Sequence, residues 1–132
     1  MIGNVNAVVD ALGVRLATIV GLRVYDYVPE TVEIPAVVVA YPELRYDSAY
    51  ARGADEATFS ITVLVSRAID RVARDTVEQY RAPTGTKSIK AAVDGTLGGT
   101  VADARVASSR VETISVGGVD YLGATFTVEV FG

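Results

Sequence analysis

The pattern of apolar positions opens with an amphipathic helix. Between Asn4 and Gly21, apolar residues recur at the i, i+3, i+4, i+7 spacing that places them on one helical face. These residues are Val5, Val8, Val9, Leu12, Leu16, Ile19 and Val20. Asn4 suits an N-cap and Gly21 suits the C′ position. Because Gly13 costs a helix about 1 kcal/mol relative to alanine, we expect burial of this face against a sheet to stabilise it.

The next segments predict strands. Residues 23–27 form a short β-rich run, and residues 36–41 hold a continuous apolar run between Pro35 and Pro42 that predicts a buried central strand. Residues 57–66 alternate strictly, which predicts a strand with one buried face. That face carries Ala57, Phe59, Ile61, Val63 and Val65, and the other carries Thr58, Ser60, Thr62 and Ser66. Residues 43–56 show no pattern and predict a long loop.

Two helices and a hairpin complete the chain. Helical periodicity covers residues 68–81 and 87–94, and Gly117-Gly118 is a strong two-residue turn between strands at 104–116 and 119–131. The predicted hairpin pairs are Val111 with Ala124, Ser109 with Phe126, and Ala107 with Val128. One face then holds Leu122, Phe126, Val128 and Val130, and the other holds Ser108, Arg110, Glu112, Thr125, Thr127 and Glu129.

This order of elements predicts one α+β domain over residues 1–132. We expect a mostly antiparallel β-sheet with helices packed on one face and a C-terminal β-hairpin. Residues 1–10 lack the basic region of a signal peptide, and no apolar run approaches the roughly eighteen residues of a membrane span. We therefore expect a soluble protein with no membrane partner.

The composition excludes several kinds of binding and catalytic site. Half of the residues are hydrophobic, and the net charge of −4 disfavours a surface that binds nucleic acid phosphates. The chain has no histidine, cysteine or tryptophan, so a Ser-His-Asp triad cannot form and a zinc site would need unusual ligands. The carboxylates available for acid/base work occupy loop-like or solvent-facing positions. They are Asp47, Asp55, Glu56, Glu112 and Asp120. We expect no enzymatic activity, cofactor or metal.

The segment 85–88, Gly-Thr-Lys-Ser, has the residue types of a phosphate-binding loop but neither its order nor a preceding strand. We interpret it as a turn that caps the following helix.

Two groups of residues are candidates for protein contacts. The first lies in the predicted loop and combines aromatic and charged side chains of the kinds enriched at interfaces: Tyr46, Asp47, Tyr50 and Arg52. A flexible loop with no partner is the alternative. The second group lies on the polar sheet face: Thr58, Ser60, Thr62, Arg110, Thr125 and Thr127. Strand propensity on a solvated face is the simpler explanation of the hydroxyls, whereas a low-charge interface with another subunit or another protein is the functional interpretation.

Four segments carry a family resemblance. They are the first helix ending at Ile19-Val20-Gly21, the run 23–25 with 34–39, the strand 59–65 leading into the helix 69–80, and the terminal run 121–130. In this order they resemble the tail terminator proteins of long-tailed bacteriophages with non-contractile tails, over essentially the whole chain. The resemblance is in order and pattern, since none of these segments is a catalytic signature.

The resemblance implies a structural virion protein at the head-proximal end of the tail, assembled in the host cytoplasm. Such proteins form a homo-oligomeric ring of six subunits that caps the tail tube and stops its polymerisation. The partners it implies are the major tail tube protein and the head-closure or neck protein, with DNA only passing through the lumen. Because a ring needs two different patches on each subunit, we expect strand edges and the 43–56 loop to supply them.

Three alternatives stay open. A head-to-tail connector or another tail-completion protein would share this pattern. A small bacterial ligand-binding or adaptor domain would have an apolar pocket near Tyr41 and Tyr80. An acid/base enzyme built on tyrosine and carboxylates would show a strongly perturbed carboxyl pKa in a cleft.

Overall fold

The computed structural model describes residues 5–19, 21–25, 33–40, 42–45, 56–67, 73–97, 101 and 103–131. The elements in chain order are α1 (Val5–Leu16), β1 (Arg23–Tyr25), β2 (Ala36–Val39), β3 (Glu43–Arg45), β4 (Glu56–Arg67), α2 (Ala73–Arg81), α3 (Ile89–Val93), β5 (Asp103–Val116) and β6 (Val119–Phe131).

One sheet joins all six strands in the order β1-β2-β4-β6-β5, with β3 also paired to β4. β1 runs parallel to β2, and every other pair is antiparallel. β2 and β3 follow one another along the same edge of β4, since Val39 lies opposite Ile61 and Glu43 lies opposite Thr58. The pairing shifts by one residue between Val39 and Glu43, a stretch that contains Pro42, which has no N–H group for a ladder.

This arrangement corrects the predicted loop at residues 43–56. Its first three residues form β3, and its last residue, Glu56, begins β4 opposite Arg45. The three residues of β3 are too few to show a periodicity, so only pairing with β4 identifies them as a strand. Residues 46–55 lie outside the described part of the chain.

The helices pack on one face of the sheet and enclose the main core, as predicted. The largest side chains of this core are buried and come from all three helices and the two central strands. They include Leu12, Leu16, Phe59, Ile61, Tyr80, Ile89 and Phe126. The prediction of a single α+β domain with a mostly antiparallel sheet, helices on one face and a C-terminal hairpin is therefore confirmed.

The first helix is shorter than predicted. α1 ends at Leu16, after which Ile19 N–H bonds to the Leu16 carbonyl with a spacing of three residues. The Thr18 hydroxyl donates to the Arg15 carbonyl at 2.6 Å and so satisfies one of the last helical acceptors. Ile19 remains buried, which explains why its apolar character extended the predicted helix. α3 is also shorter, and residues 68–72 of the predicted second helix lie outside the described residues.

The hairpin is confirmed except at its base. Gly117 and Gly118 form the turn with φ values of 59° and 80°, as a type I′ turn requires. The predicted pairs of Val111 with Ala124 and Ser109 with Phe126 are present.

The third predicted hairpin pair is wrong, because a bulge at Ala107 leaves Val106 opposite Val128 and Ser108 opposite Thr127. The extra residue reverses the alternation, so Ala104 and Val106 contact the core before the bulge, whereas Ser109 and Val111 lie on the helix side after it.

A second, smaller core lies on the other face of the sheet, near the hairpin turn. It consists of Leu64, Val116 and Tyr121, with Ile114 and Val119 packed against them. A register shift between Leu64 and Ser66 accompanies it in β4. The strict alternation of residues 57–66 predicts only the helix-side core, because Leu64 occupies a position that the pattern assigns to the polar face.

Candidate functional site

The sheet surface opposite the helices holds six of the predicted contact residues. We call it the hydroxyl face, defined by Thr58, Ser60, Thr62, Ser108, Arg110, Thr125 and Thr127. Residues directly opposite one another in antiparallel strands project to the same face. The register therefore forms one row of Thr62, Thr125 and Arg110, and a second row of Ser60, Thr127 and Ser108, across β4, β6 and β5.

A chain of polar contacts crosses the first row. The Thr125 hydroxyl donates its proton to Oε1 of Glu112. Because that hydroxyl has only one proton, Thr62 must be the donor in the 3.4 Å contact between the two threonine oxygens. Arg110 Nε lies 3.4 Å from Oε2 of the same Glu112 carboxylate. The chain fixes side chains from three strands and aligns their dipoles towards Glu112.

An open groove of about 420 Å³ runs over both rows. Its lining consists of Ser60, Ser108, Ser109, Arg110, Thr125 and Thr127. Apart from Ser109, whose hydroxyl accepts from Arg81 on the helix side, the lining residues other than Arg110 present hydroxyl groups, which both donate and accept hydrogen bonds. The one formal charge in the lining is the Arg110 guanidinium. Covering such a surface with another protein costs less desolvation free energy than covering a charged one.

Opposite charges border the hydroxyl face at the base of the hairpin. Arg105 donates to Oε2 of Glu129 from Nη2 at 2.8 Å and from Nε at 3.1 Å. The hydrogen bond and then the charge of Glu129 raise the pKa of Arg105, which stays protonated. Thr58 on β4 lies opposite Glu129 on β6, which lies opposite Arg105 on β5. These three residues form a third row at the border of the face. The two charges neutralise each other, so the border adds little net charge to the face.

The structure brings together the six sheet residues predicted from sequence. The four predicted loop residues, Tyr46, Asp47, Tyr50 and Arg52, lie outside the described residues, so their interaction role stays a prediction. Sequence reasoning missed that β5 is an edge strand and that Glu112 links Arg110 to the threonines. The alternation of β5 and β6 indicated their shared face, but no sequence signal shows which strand ends a sheet.

Segment 85–88 caps α3, as predicted. Ser88 Oγ accepts a hydrogen bond from Ala91 N–H at 3.0 Å and donates to the Ala82 carbonyl at 2.6 Å. Lys87 Nζ lies over the Tyr80 ring, 6.0 Å from its centre. Ser88 and Lys87, two of the residues that resembled a phosphate-binding loop, thus make other contacts in this structure.

Tyr80, the residue on which the ligand-binding alternative was placed, is buried in the main core with 2% of its surface exposed. Burial raises the pKa of its phenol. Tyr41, its proposed partner, lies outside the described residues. The Tyr80 ring thus packs as a core side chain in the described structure.

No protein-family model matches the chain, and no curated protein matches it in sequence. Within the described ranges, no group of three or more carboxylates is arranged to hold a metal ion. None of the helices in those ranges is long and apolar enough to cross a membrane.

Proposed function

We propose that this protein is a phage tail terminator, which forms a ring on the head-proximal end of the tail tube, stops its polymerisation and offers a docking surface for head attachment. The proposal combines the sequence resemblance with one structural observation. That observation is the hydroxyl face, a broad, low-charge surface that no described helix covers.

The charge and rigidity of the hydroxyl face support a docking role. Its two rows span three hydrogen-bonded strands, so the side chains of a partner would meet a preorganised surface with little entropy to lose. The polar chain from Thr62 to Glu112 holds the centre of the face in one arrangement. We assign this surface to contact with the tail tube protein, and the 46–52 segment to contact with the tube or the adjacent subunit.

The test is tube capping in vitro with a charge placed on the hydroxyl face. Ser60 is exposed in the second row, so Ser60→Lys adds a cation to the face without filling the core. Thr84→Lys is the matched control, because Thr84 is an exposed hydroxyl residue between α2 and α3. Tail tube protein from the same genome is polymerised with each variant, and tube lengths are measured by negative-stain electron microscopy.

We expect the unaltered chain and Thr84→Lys to stop tube growth and to appear as end-bound caps, whereas Ser60→Lys leaves the tubes overlong. Tubes of equal length with and without the unaltered chain would overturn the proposal. A genetic deletion separates the closest alternative: overlong tails indicate a terminator, and tails of normal length that fail to join heads indicate a connector. Deletion of residues 46–52 should keep the fold and abolish capping, and normal tails in that mutant would refute the role of the segment.

A further inference from the structure

β5 is a long edge strand, and among the described residues only Asp94 and Gly95 bond to its outer edge, near its start. Gly95 and Ala104 exchange backbone hydrogen bonds of 2.8 and 2.6 Å, and Asp94 accepts from Val106 N–H at 2.8 Å. This cover ends at the bulge at Ala107. From Ser108 to Val116 the only strand that pairs with β5 in the described structure is β6. An uncovered edge of this length is a template for another strand.

The register shows which residues face outward from this edge. Val116 and Val119 flank the two-residue turn and therefore form a hydrogen-bonded pair. Because hydrogen-bonded and non-hydrogen-bonded pairs alternate, the even-numbered residues from 108 to 116 bond to β6 and the odd-numbered ones direct their N–H and C=O groups outward. Before the bulge the even-numbered residues Ala104 and Val106 bond outward instead. This reversal is expected, because the extra residue of the bulge shifts the alternation by one.

The side chains along this edge include an exposed apolar residue beside a groove. Val111 has 41% of its surface exposed, which makes it one of the most exposed large apolar residues described. It lines a groove of about 370 Å³ between β5 and α2, together with Arg74, Asp75, Val77, Glu78 and Leu122. On the opposite side of the strand, Arg110 and Glu112 flank Val111 and lie on the hydroxyl face.

We propose that the β5 edge binds the β5 edge of a second copy of this chain, antiparallel and about a two-fold axis at Val111. In this register the outward backbone groups of Val111 meet those of the partner's Val111, and Ser109 meets the partner's Thr113. Arg110 then lies opposite the partner's Glu112, and Glu112 opposite the partner's Arg110. These are non-hydrogen-bonded pairs, in which opposing side chains are closest.

Charge selects this register over its neighbours. Outward groups meet only when the pairing shifts in steps of two residues. One step in one direction places Arg110 opposite a second Arg110, and one step in the other places Glu112 opposite a second Glu112. Like charges in direct opposition destabilise strand pairs, so among these three registers the one centred on Val111 alone places opposite charges across the interface at both positions. The pair joins two sheets into one and covers the exposed Val111 side chain.

This two-fold pair does not rest on the proposed ring, because a ring requires two different patches whereas the pair uses the same patch twice. Its test is the mass in solution, measured by light scattering over a range of concentrations. We expect the unaltered chain to reach twice the 13.9 kDa of a single chain. Arg110→Glu and Glu112→Arg should each raise the dissociation constant about tenfold or more, since each creates two like-charge pairs.

Mixing the two single variants is the decisive measurement. A heterodimer of Arg110→Glu with Glu112→Arg has opposite charges at both positions, so an equimolar mixture should form dimers at a concentration at which each variant alone is monomeric. Changes within one chain cannot produce this result. Arg23→Glu is the matched control for Arg110→Glu: Arg23 is exposed on β1, at the other edge of the sheet. It should dimerise normally, and circular dichroism should show each variant folded.

Other outcomes would overturn the proposal. These are an unaltered chain that stays monomeric at every concentration, a mixture that stays monomeric when both variants are folded, or an oligomer that Arg23→Glu disrupts and Arg110→Glu does not. If Glu112→Arg fails to fold, the mass of Arg110→Glu compared with that of Arg23→Glu tests the proposal. Arg110→Glu should fold, since the Arg110 side chain is 76% exposed and its loss leaves the Thr125 bond to Glu112 in place. The mass measurement tests this proposal and the capping of Ser60→Lys tests the proposed function, because Arg110 and Glu112 lie on both the β5 edge and the hydroxyl face, whereas Ser60 lies on β4.

Discussion

Gly123 lies so close to Val63 that a Cβ atom at residue 123 would be 2.1 Å from the Val63 carbonyl oxygen. The same Cβ would be 3.0 Å from Cδ1 of Ile114, which belongs to the second core. The contact is with backbone, which cannot rotate away. Gly123 therefore permits the close approach of β4 and β6 beside the register shift at Leu64.

Gly123→Ala should destabilise the protein by roughly 2–4 kcal/mol, because the strands must separate or distort to admit the methyl group. The measurement is the free energy of unfolding from a urea titration. Gly13→Ala is the matched control. Gly13 lies inside α1, and a Cβ atom there would be 3.7 Å from Cγ1 of Val24, an ordinary van der Waals distance. It should stabilise the protein by about 0.5–1 kcal/mol. Equal effects of the two substitutions would contradict the argument from Val63.

Thr125→Val should cost about 1 kcal/mol, because it removes the donor to Glu112 and the acceptor of the Thr62 proton while keeping a β-branched shape. Thr127→Val is the control on the next row, where no hydrogen bond joins the side chain to another described residue. It should change stability by less than about 0.5 kcal/mol. Chemical denaturation of both variants checks the difference, and indistinguishable values would show that the polar chain does not stabilise the fold.

Ser88→Ala should lower the free energy of unfolding by about 1–2 kcal/mol, because it leaves the Ala91 N–H and the Ala82 carbonyl without their partner in a partly buried site. Thr86→Ala, an exposed position in the same turn, should stay within about 0.5 kcal/mol of the unaltered chain. Thermal unfolding followed by circular dichroism compares the two variants. A Ser88→Ala protein as stable as Thr86→Ala would refute the capping role.

Alkaline pH should weaken the fold through Tyr80. Burial raises the pKa of this phenol in the folded state above its ordinary value of about 10, so the folded state retains a proton that the unfolded state loses. The stabilising contribution is complete below pH 10 and falls as the pH rises through the folded-state pKa. Tyr80→Phe removes this pH-dependent contribution, so the stability of the variant should decline less steeply above pH 10. Parallel pH profiles of the two proteins would contradict the assignment, because the other tyrosines are common to both.

The sequence determined the elements whose signal is local. The alternation over residues 57–66 and 119–131 identified two strands and their buried faces, because the side chains of a strand alternate with a period of two. Gly117-Gly118 identified the hairpin turn and, through its length, the register near Val111. The sheet residues of the candidate site followed from the same alternation, since Thr62, Thr125 and Arg110 share a face whenever those strands pair.

Tertiary structure alone decided the features that depend on contacts between distant segments. β3 is a strand because Glu43 to Arg45 pair with β4, and the bulge at Ala107 coincides with the contacts of Asp94 and Gly95 on β5. Neither event leaves a periodic trace in the chain. The position of β5 at the sheet edge likewise follows from the order of strands. Local sequence fixes which way a side chain points along a strand, whereas long-range packing decides which strand has no neighbour.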